Sequence, residues 1–239
     1  MEKTELSIIM PMYNNKDIAR NLKEAVKMLE KVTKNYELIV SDDGSTNNCR
    51  LEAEKFKNKK VKIVGYDKNQ GKGAAIRYGF KYVKGKYVAF VDSGRDLNPK
   101  QLKDFMEIME KEKADVVVGS KRHPDSKVRY PILRRIMSRT YQIMNKVLFQ
   151  LNVEDTQVGL KLFKKKVLDK VMPKIAIKRF AFDLELLVVA NKYRFKIVEA
   201  PIVMRYQFGS TINSKAVFWM LWDTAAIFYR DKILGYYKE

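Results

Sequence analysis

Glu37-Leu38-Ile39-Val40-Ser41-Asp42-Asp43-Gly44-Ser45 and Tyr87-Val88-Ala89-Phe90-Val91-Asp92 are two apolar runs that each stop at an acid. Asn69-Gln70-Gly71-Lys72-Gly73-Ala74-Ala75 lies between them. Short apolar runs closed by turn residues read as buried strands. Carboxylates at the carboxyl ends of such strands project into the crevice where open α/β sheets bind ligands. With a glycine-lysine loop beside them, these acids point to a nucleotide site with a divalent metal.

Outward from this centre, strands and helices alternate. Strands are expected at 6–10 (ending at Pro11), 36–40, 61–66, 87–91 and 115–119. Helices are expected at 16–34, 46–57, 73–83 and 99–113. This alternation predicts an α/β fold with a mostly parallel sheet covered by helices, and 87–91 should lie mid-sheet. The pattern then changes. Residues 130–151 form a long basic amphipathic stretch, with Arg134, Arg135, Arg139 and Lys146 among Ile132, Leu133, Ile136, Ile143, Met144 and Leu148. An edge strand is expected at 158–163, a helix at 182–193, a last strand at 196–203 and an aromatic helix from Ser214.

Composition sets outer bounds. At 46% hydrophobic over 239 residues, the chain can bury a real core. One cysteine, Cys49, rules out an internal disulfide and a cysteine metal cluster, and suits a reducing compartment. A lone histidine, His123, cannot build a histidine metal site and reads as a surface residue. The formal charge of +20 favours anionic partners: nucleic acid, anionic lipid headgroups or phosphorylated substrates. A lysine-rich solvated surface would give the same number. Phe218, Trp219, Trp222 and Tyr229 could stack bases, but apolar packing or membrane contact is the preferred reading, so no nucleic-acid partner is expected. No leader is read at the start, and no apolar run approaches the ~20 residues needed to span a bilayer. The stretch 216–229 is broken by Asp223 and suits a membrane surface instead.

Each motif has its own chemistry. An acid at Asp42-Asp43-Gly44-Ser45 can accept hydrogen bonds from a base imide or a ribose hydroxyl. Gly71 and Gly73 let backbone N–H groups approach an anion at a helix N-terminus, and Lys72 adds a point charge for a diphosphate. Walker spacing is absent, so this is no P-loop. Asp92 is a hard oxygen donor for a divalent cation bridging two phosphates.

Together these residues resemble glycosyltransferase family 2, the inverting group built on the GT-A type of nucleotide-binding sheet. Met10-Pro11-Met12-Tyr13-Asn14, Ser41-Asp42-Asp43-Gly44-Ser45, Asn69-Gln70-Gly71-Lys72-Gly73 and Val91-Asp92 carry the resemblance over the first 120 residues. Gly119-Ser120-Lys121-Arg122, Arg134 through Ser138-Arg139, Asp155-Thr156-Gln157-Val158-Gly159-Leu160-Lys161-Leu162-Phe163, Phe182-Asp183-Leu184-Glu185-Leu186-Leu187 and Glu199-Ala200-Pro201 are similar to the polyprenyl-phosphate branch. That branch includes the dolichyl-phosphate mannose and glucose synthases, and the Asp-Thr-Gln form looks nearest to the glucosyl group.

The resemblance implies a GT-A domain at 1–212, with a nucleotide-sugar half (1–120) and an acceptor half (121–212), followed by an aromatic amphipathic helix at 213–239. It implies nucleotide contacts from Pro11, Tyr13, Asn15, Asp42, Asp43 and Lys72. Acceptor-phosphate contacts would come from Lys121, Arg134, Ser138 and Arg205. Asp92 and Asp155 are the expected catalytic acids, and Asp92 and Asp96 the expected metal pair for Mg²⁺ or Mn²⁺. The expected reaction moves a hexose, with inversion, from a UDP- or GDP-sugar to a polyprenyl phosphate at an anionic membrane. The enzyme would be peripheral to its cytoplasmic face. A homodimer would be the other way to cover the basic and aromatic helices. Two departures stand out: the family's Asp-x-Asp is here Asp92-Ser93-Gly94, and Asn15 replaces a common Glu. Rival expectations are transfer to a sugar hydroxyl with Asp155 as base, and a non-catalytic nucleotide-sugar binder.

Overall fold

The structure, a computed structural model, describes residues 4–128, 132–179, 181–204 and 214–238, the side chains of residues 132–134 excepted. Arg205 and the Arg134 side chain therefore lie outside the described residues.

In chain order the elements are β1 (Leu6–Met12), α1 (Ile18–Leu29), β2 (Tyr36–Asp43), α2 (Cys49–Glu54), β3 (Val61–Tyr66), α3 (Lys72–Phe80), β4 (Tyr87–Val91) and α4 (Leu102–Lys111). There follow β5 (Val116–Ser120), β6 (Lys127–Val128), α5 (Ile132–Phe149), β7 (Leu160–Lys164), α6 (Lys165–Val171), α7 (Phe182–Lys192), β8 (Ile197–Pro201), β9 (Val203–Met204) and α8 (Ser214–Phe228). The main sheet has the order β3-β2-β1-β4-β7-β5-β8, with β6 and β9 paired apart from it. All of its neighbours pair in parallel except where β7 runs antiparallel to β4 and β5.

The strand expected at the edge, 158–163, is instead an interior strand. β7 is hydrogen-bonded on both sides. A lysine inside an apolar run is what an exposed edge carries, but Lys161 is fully buried here and satisfied by an ion pair. β1 also runs past Pro11, where a stop was expected. Its pairing with β4 ends at Ile9↔Phe90, so no β4 partner requires an N–H from Pro11.

The strands bury both faces, as a mostly parallel sheet requires. Leu6, Ile8 and Met10 face one apolar layer with Leu22 of α1 and Phe105 of α4. Ile9, Val88 and Phe90 face the other, with Ile76 of α3 and Phe182 of α7. Each fully buried side chain of this size contributes ~1.5–3 kcal/mol. Phe90 stacks on Phe163 at 4.9 Å between ring centroids, which fastens β7 to β4. Residues 182–190 of α7 are buried throughout, so this helix is a core element. α8 docks on α5 and α7 through Thr224, whose hydroxyl meets Tyr141 Oη at 2.9 Å, and through buried Ile227. The outcome is a rim where β1, β2 and β4 end together at Met12, Asp43 and Val91.

Candidate active site

Asp43 organises the rim. Its carboxylate accepts from the Tyr66 hydroxyl (2.6 Å), Asn69 Nδ2 (2.8 Å) and the amides of Gln70 (2.9 Å) and Gly71 (2.9 Å). Burial, reinforced by Asp43, pushes the Tyr66 phenol far above its ordinary value, so it stays a donor. The carboxylate thereby ties the 69–71 turn to the end of β2. Gly71 has φ 109°, and a Cβ there would lie 2.5 Å from Arg179 Cγ, so only glycine fits. Lys72 follows as the first residue of α3.

Asp42 points elsewhere. It is buried, and its carboxylate accepts from the Ser45 hydroxyl (2.5 Å) and amide (3.3 Å). Strand alternation explains the division: neighbouring side chains leave opposite faces. Asn14, at φ 49°, joins this loop by accepting from the Thr46 amide at 2.8 Å. Asn15 does not line the cleft. Its Nδ2 donates to Ser93 O at 2.8 Å, as Asn21 Nδ2 also does, and so fixes the turn after Asp92.

A chain of alternating charges runs from the core to the rim. Lys161 Nζ lies 2.7 Å from Asp183 Oδ1 and donates to Val158 O at 2.5 Å. Asp183 Oδ2 lies 3.4 Å from Lys72 Nζ, which lies 2.9 Å from Asp92 Oδ1. Burial would lower the Lys72 ammonium, but Asp183 and Asp92 hold it above the ordinary lysine range. Burial would raise the Asp183 carboxyl, yet Lys161 and Lys72 keep it below the usual range. For Lys161 burial dominates and pulls the ammonium down despite Asp183. Two cations and two anions cancel, so the core tolerates them. Asp92 itself is pressed against the backbone of Gly159, where a Cβ would come within 1.8 Å of Asp92 Oδ2.

Three hollows follow one another from this point. A cleft of about 620 Å³ is lined by Pro11, Tyr13, Asp43, Lys72 and Asp92. Beyond Asp92 lies a chamber of about 110 Å³ that also touches Asp96, Lys121 and Gln157. Lys121 in turn borders a cavity of about 910 Å³ with Arg122, Arg135, Arg139 and Lys146. Val128, Ile136 and Ile143 give that cavity an apolar lip.

The sequence pattern described as "Glycosyl transferase family 2" matches residues 7–172. The chain belongs to glycosyl transferase family 2. Relatives of this family member include proteins called dolichyl-phosphate beta-glucosyltransferase. That of Dictyostelium discoideum is 31% identical over 82% of this chain and 65% of its own length. That of Saccharomyces cerevisiae is 29% identical over 84% and 67%. The chain thus spans about two thirds of the length of these relatives. Two solved structures share the fold at low identity. Mannosyl-3-phosphoglycerate synthase from Rubrobacter xylanophilus has a TM-score of 0.73 and 13% identity, covering 99% of this chain and 76% of that one. Glucosyl-3-phosphoglycerate synthase from Mycobacterium tuberculosis, crystallised with Mn²⁺, uridine diphosphate and glucosyl-3-phosphoglycerate, has a TM-score of 0.68 and 16% identity, covering 95% and 79%.

Within this family member, the cleft gathers Pro11, Tyr13, Asp43, Lys72 and Asp92 of the expected residues. Asp96 joins Asp92 at the small chamber, and Lys121 stands between chamber and basic cavity. Ser138 is half-buried and meets Arg122 Nη2 at 3.4 Å. Asp155 is fully buried: it accepts from the amides of Lys121 (3.1 Å) and Gln157 (3.2 Å) and pairs with Lys121 Nζ at 3.0 Å. Among the described residues, no three His, Cys, Asp or Glu side chains form a metal cluster. Sequence alone does not place Asp183 and Arg179 at the cleft wall or pair Lys161 with Asp183. The available signal was Lys161 itself, a cation inside the otherwise apolar run Leu160–Phe163.

Proposed function

We propose that the protein transfers a hexose from a UDP- or GDP-sugar to a polyprenyl phosphate of the dolichyl type, with inversion, at a membrane surface. The observation that carries this is the run of hollows from Asp92 to Lys121, in which one small chamber links a rim suited to a nucleotide to a basic cavity with an apolar lip. The names of the relatives supply the sugar-to-dolichyl-phosphate pairing.

The nucleotide lies over Pro11 and Tyr13, whose half-exposed ring can stack on a base. Lys72 meets the diphosphate. Lys121, Arg122 and Arg139, with Ser138, Arg134 and Arg205, hold the acceptor phosphate through charge-assisted bonds. A phosphate oxygen attacks the sugar C1, the bond from C1 to the diphosphate oxygen breaks, and the nucleoside diphosphate leaves. The acceptor is already ionised at neutral pH, so the protein's task is to position two anions and offset their repulsion. No side-chain base is needed. The burial and full engagement of Asp155 suit a positioning role for Lys121 and disfavour the hydroxyl-acceptor alternative.

Asp92 and Asp96 flank one chamber, which suits a Mg²⁺ or Mn²⁺ ion held by one or two carboxylates plus substrate phosphates. When bound, such an ion neutralises charge growing on the departing diphosphate. Membrane attachment rests on exposed apolar side chains. These are Ile136, Ile143 and Val147 on α5, and Phe218, Trp219 and Trp222 on α8. No helix among the described residues is long and apolar enough to cross a membrane. We further propose attachment at the cytoplasmic face, with a homodimer the competing cover for these faces.

The test offers purified protein labelled UDP-glucose and GDP-mannose, each with polyprenyl phosphate or a neutral sugar acceptor. Label entering the lipid-phosphate product is expected, and transfer only to the hydroxyl acceptor contradicts the proposal. In parallel, sedimentation with anionic vesicles is expected to carry the protein down. Failure to bind either neutral or anionic vesicles contradicts peripheral attachment.

A further inference from the structure

Gln157 stands where the nucleotide cleft and the Asp92 chamber meet, lining both. Its Nε2 is closed to solvent and has no acceptor among the described residues. Buried amide donors in folded proteins are nearly always paired, and one that is not calls for a ligand or another explanation. Pairing by Asp155 is confined to the backbone amide of Gln157, at 3.2 Å, and leaves the side chain free.

The segment carrying it is held on three sides. Asp155 is anchored by Lys121, Val158 O accepts from buried Lys161, and Gly159 abuts Asp92. The backbone that carries the side-chain amide is therefore set in place before any ligand arrives. Its chemistry also separates it from its neighbours. Lys72, Arg179 and Lys121 are cations, suited to phosphate oxygens. An uncharged amide offers one donor group and one acceptor at equal reach, which matches a hydroxyl.

We propose that Gln157 hydrogen-bonds a ring hydroxyl of the hexose being transferred and so sets which hexose the protein accepts. This rests on the functional reading above, because it places the sugar at the junction between nucleotide and acceptor phosphate. A site built to bond a hydroxyl discriminates strongly against an analogue lacking it, since its own polar group is then left unpaired.

The test is calorimetric binding of UDP, UDP-glucose and the monodeoxy UDP-glucose analogues to wild type, Gln157→Ala and Gln157→Met, with the GDP series run alongside. The Met variant keeps the approximate shape and removes the amide without adding charge, and thermal melts establish that both variants fold. UDP affinity is expected to hold within about twofold, while the gain of UDP-glucose over UDP shrinks about tenfold in both variants. One deoxy analogue should bind wild type about tenfold more weakly than UDP-glucose and lose nothing further in Gln157→Ala. Equal losses for UDP and UDP-glucose overturn the proposal, as does a full penalty for every deoxy analogue in the variant. Variants that do not fold show a structural role for Gln157 and also count against it. Wild type that binds neither nucleotide series overturns the functional reading itself, a result recognisable without any variant.

Discussion

Replacing Gly159 by alanine should separate the placement of Asp92 from the stability of the fold. A Cβ at 159 would lie 1.8 Å from Asp92 Oδ2 and 2.3 Å from its Cγ. To regain ordinary van der Waals contact, the carboxylate must retreat by about 1.5 Å or more. It has room, because the Asp92 side chain is 46% exposed. The stability cost should therefore sit near the low end of overpacking, about 1 kcal/mol. The functional cost should be far larger. Retreat breaks the 2.9 Å pair with Lys72, which then leans on Asp183 alone. A displacement of this size in reacting groups costs about 10²-fold in rate. The assay pairs sugar transfer to polyprenyl phosphate with thermal melting. Gly94→Ala is the control for melting, since a Cβ there meets nothing within 4 Å. Wild-type turnover in Gly159→Ala would refute the claim that the Gly159 backbone sets the working position of Asp92.

Three further outcomes follow from the same geometry. Asp183 has its folded pKa held below its ordinary value of 3.8, so its stabilisation is full above that value and lost as pH falls through the folded one. Asp183→Asn should destabilise at neutral pH by about 3 kcal/mol by leaving buried Lys161 without its carboxylate and Lys72 with Asp92 alone, and its stability should fall less steeply than that of wild type below about pH 4 in urea titrations. Gly94→Asp should melt like wild type and bind Mn²⁺ more tightly in the presence of UDP, read by calorimetry; unchanged affinity would mean that position 94 does not face the ion. Arg135→Ala with Arg139→Ala should raise KM for polyprenyl phosphate about tenfold while leaving UDP affinity within twofold, and an equal loss of UDP affinity would contradict separate donor and acceptor spaces.

Much of the fold over residues 1–120 was legible because its signals are local. Apolar runs ending at Asp43 and Val91, and glycines opening α3, report backbone geometry directly. What the sequence could not divide was Asp42 from Asp43, because which of two adjacent acids faces the cleft depends on the strand's rotation within the sheet. The interior place of β7 is not local either, since Lys161 reads as a solvated residue until Asp183, twenty-two residues away on a helix, is brought against it. The same non-local pairing hid the role of Asp183. Lys121 and the α5 arginines were legible as a basic stretch, but their meeting with Asp92 through one small chamber is a property of packing.

The most direct test of a nucleotide-sugar donor at this rim is a crystal structure of the protein with UDP-glucose, or the GDP-sugar it prefers, and Mn²⁺. The diphosphate should lie in the cleft against Lys72 and Asp92, with the hexose turned toward Gln157 and the Lys121 cavity. A donor bound on another face, with the Asp92 rim unused, would contradict it.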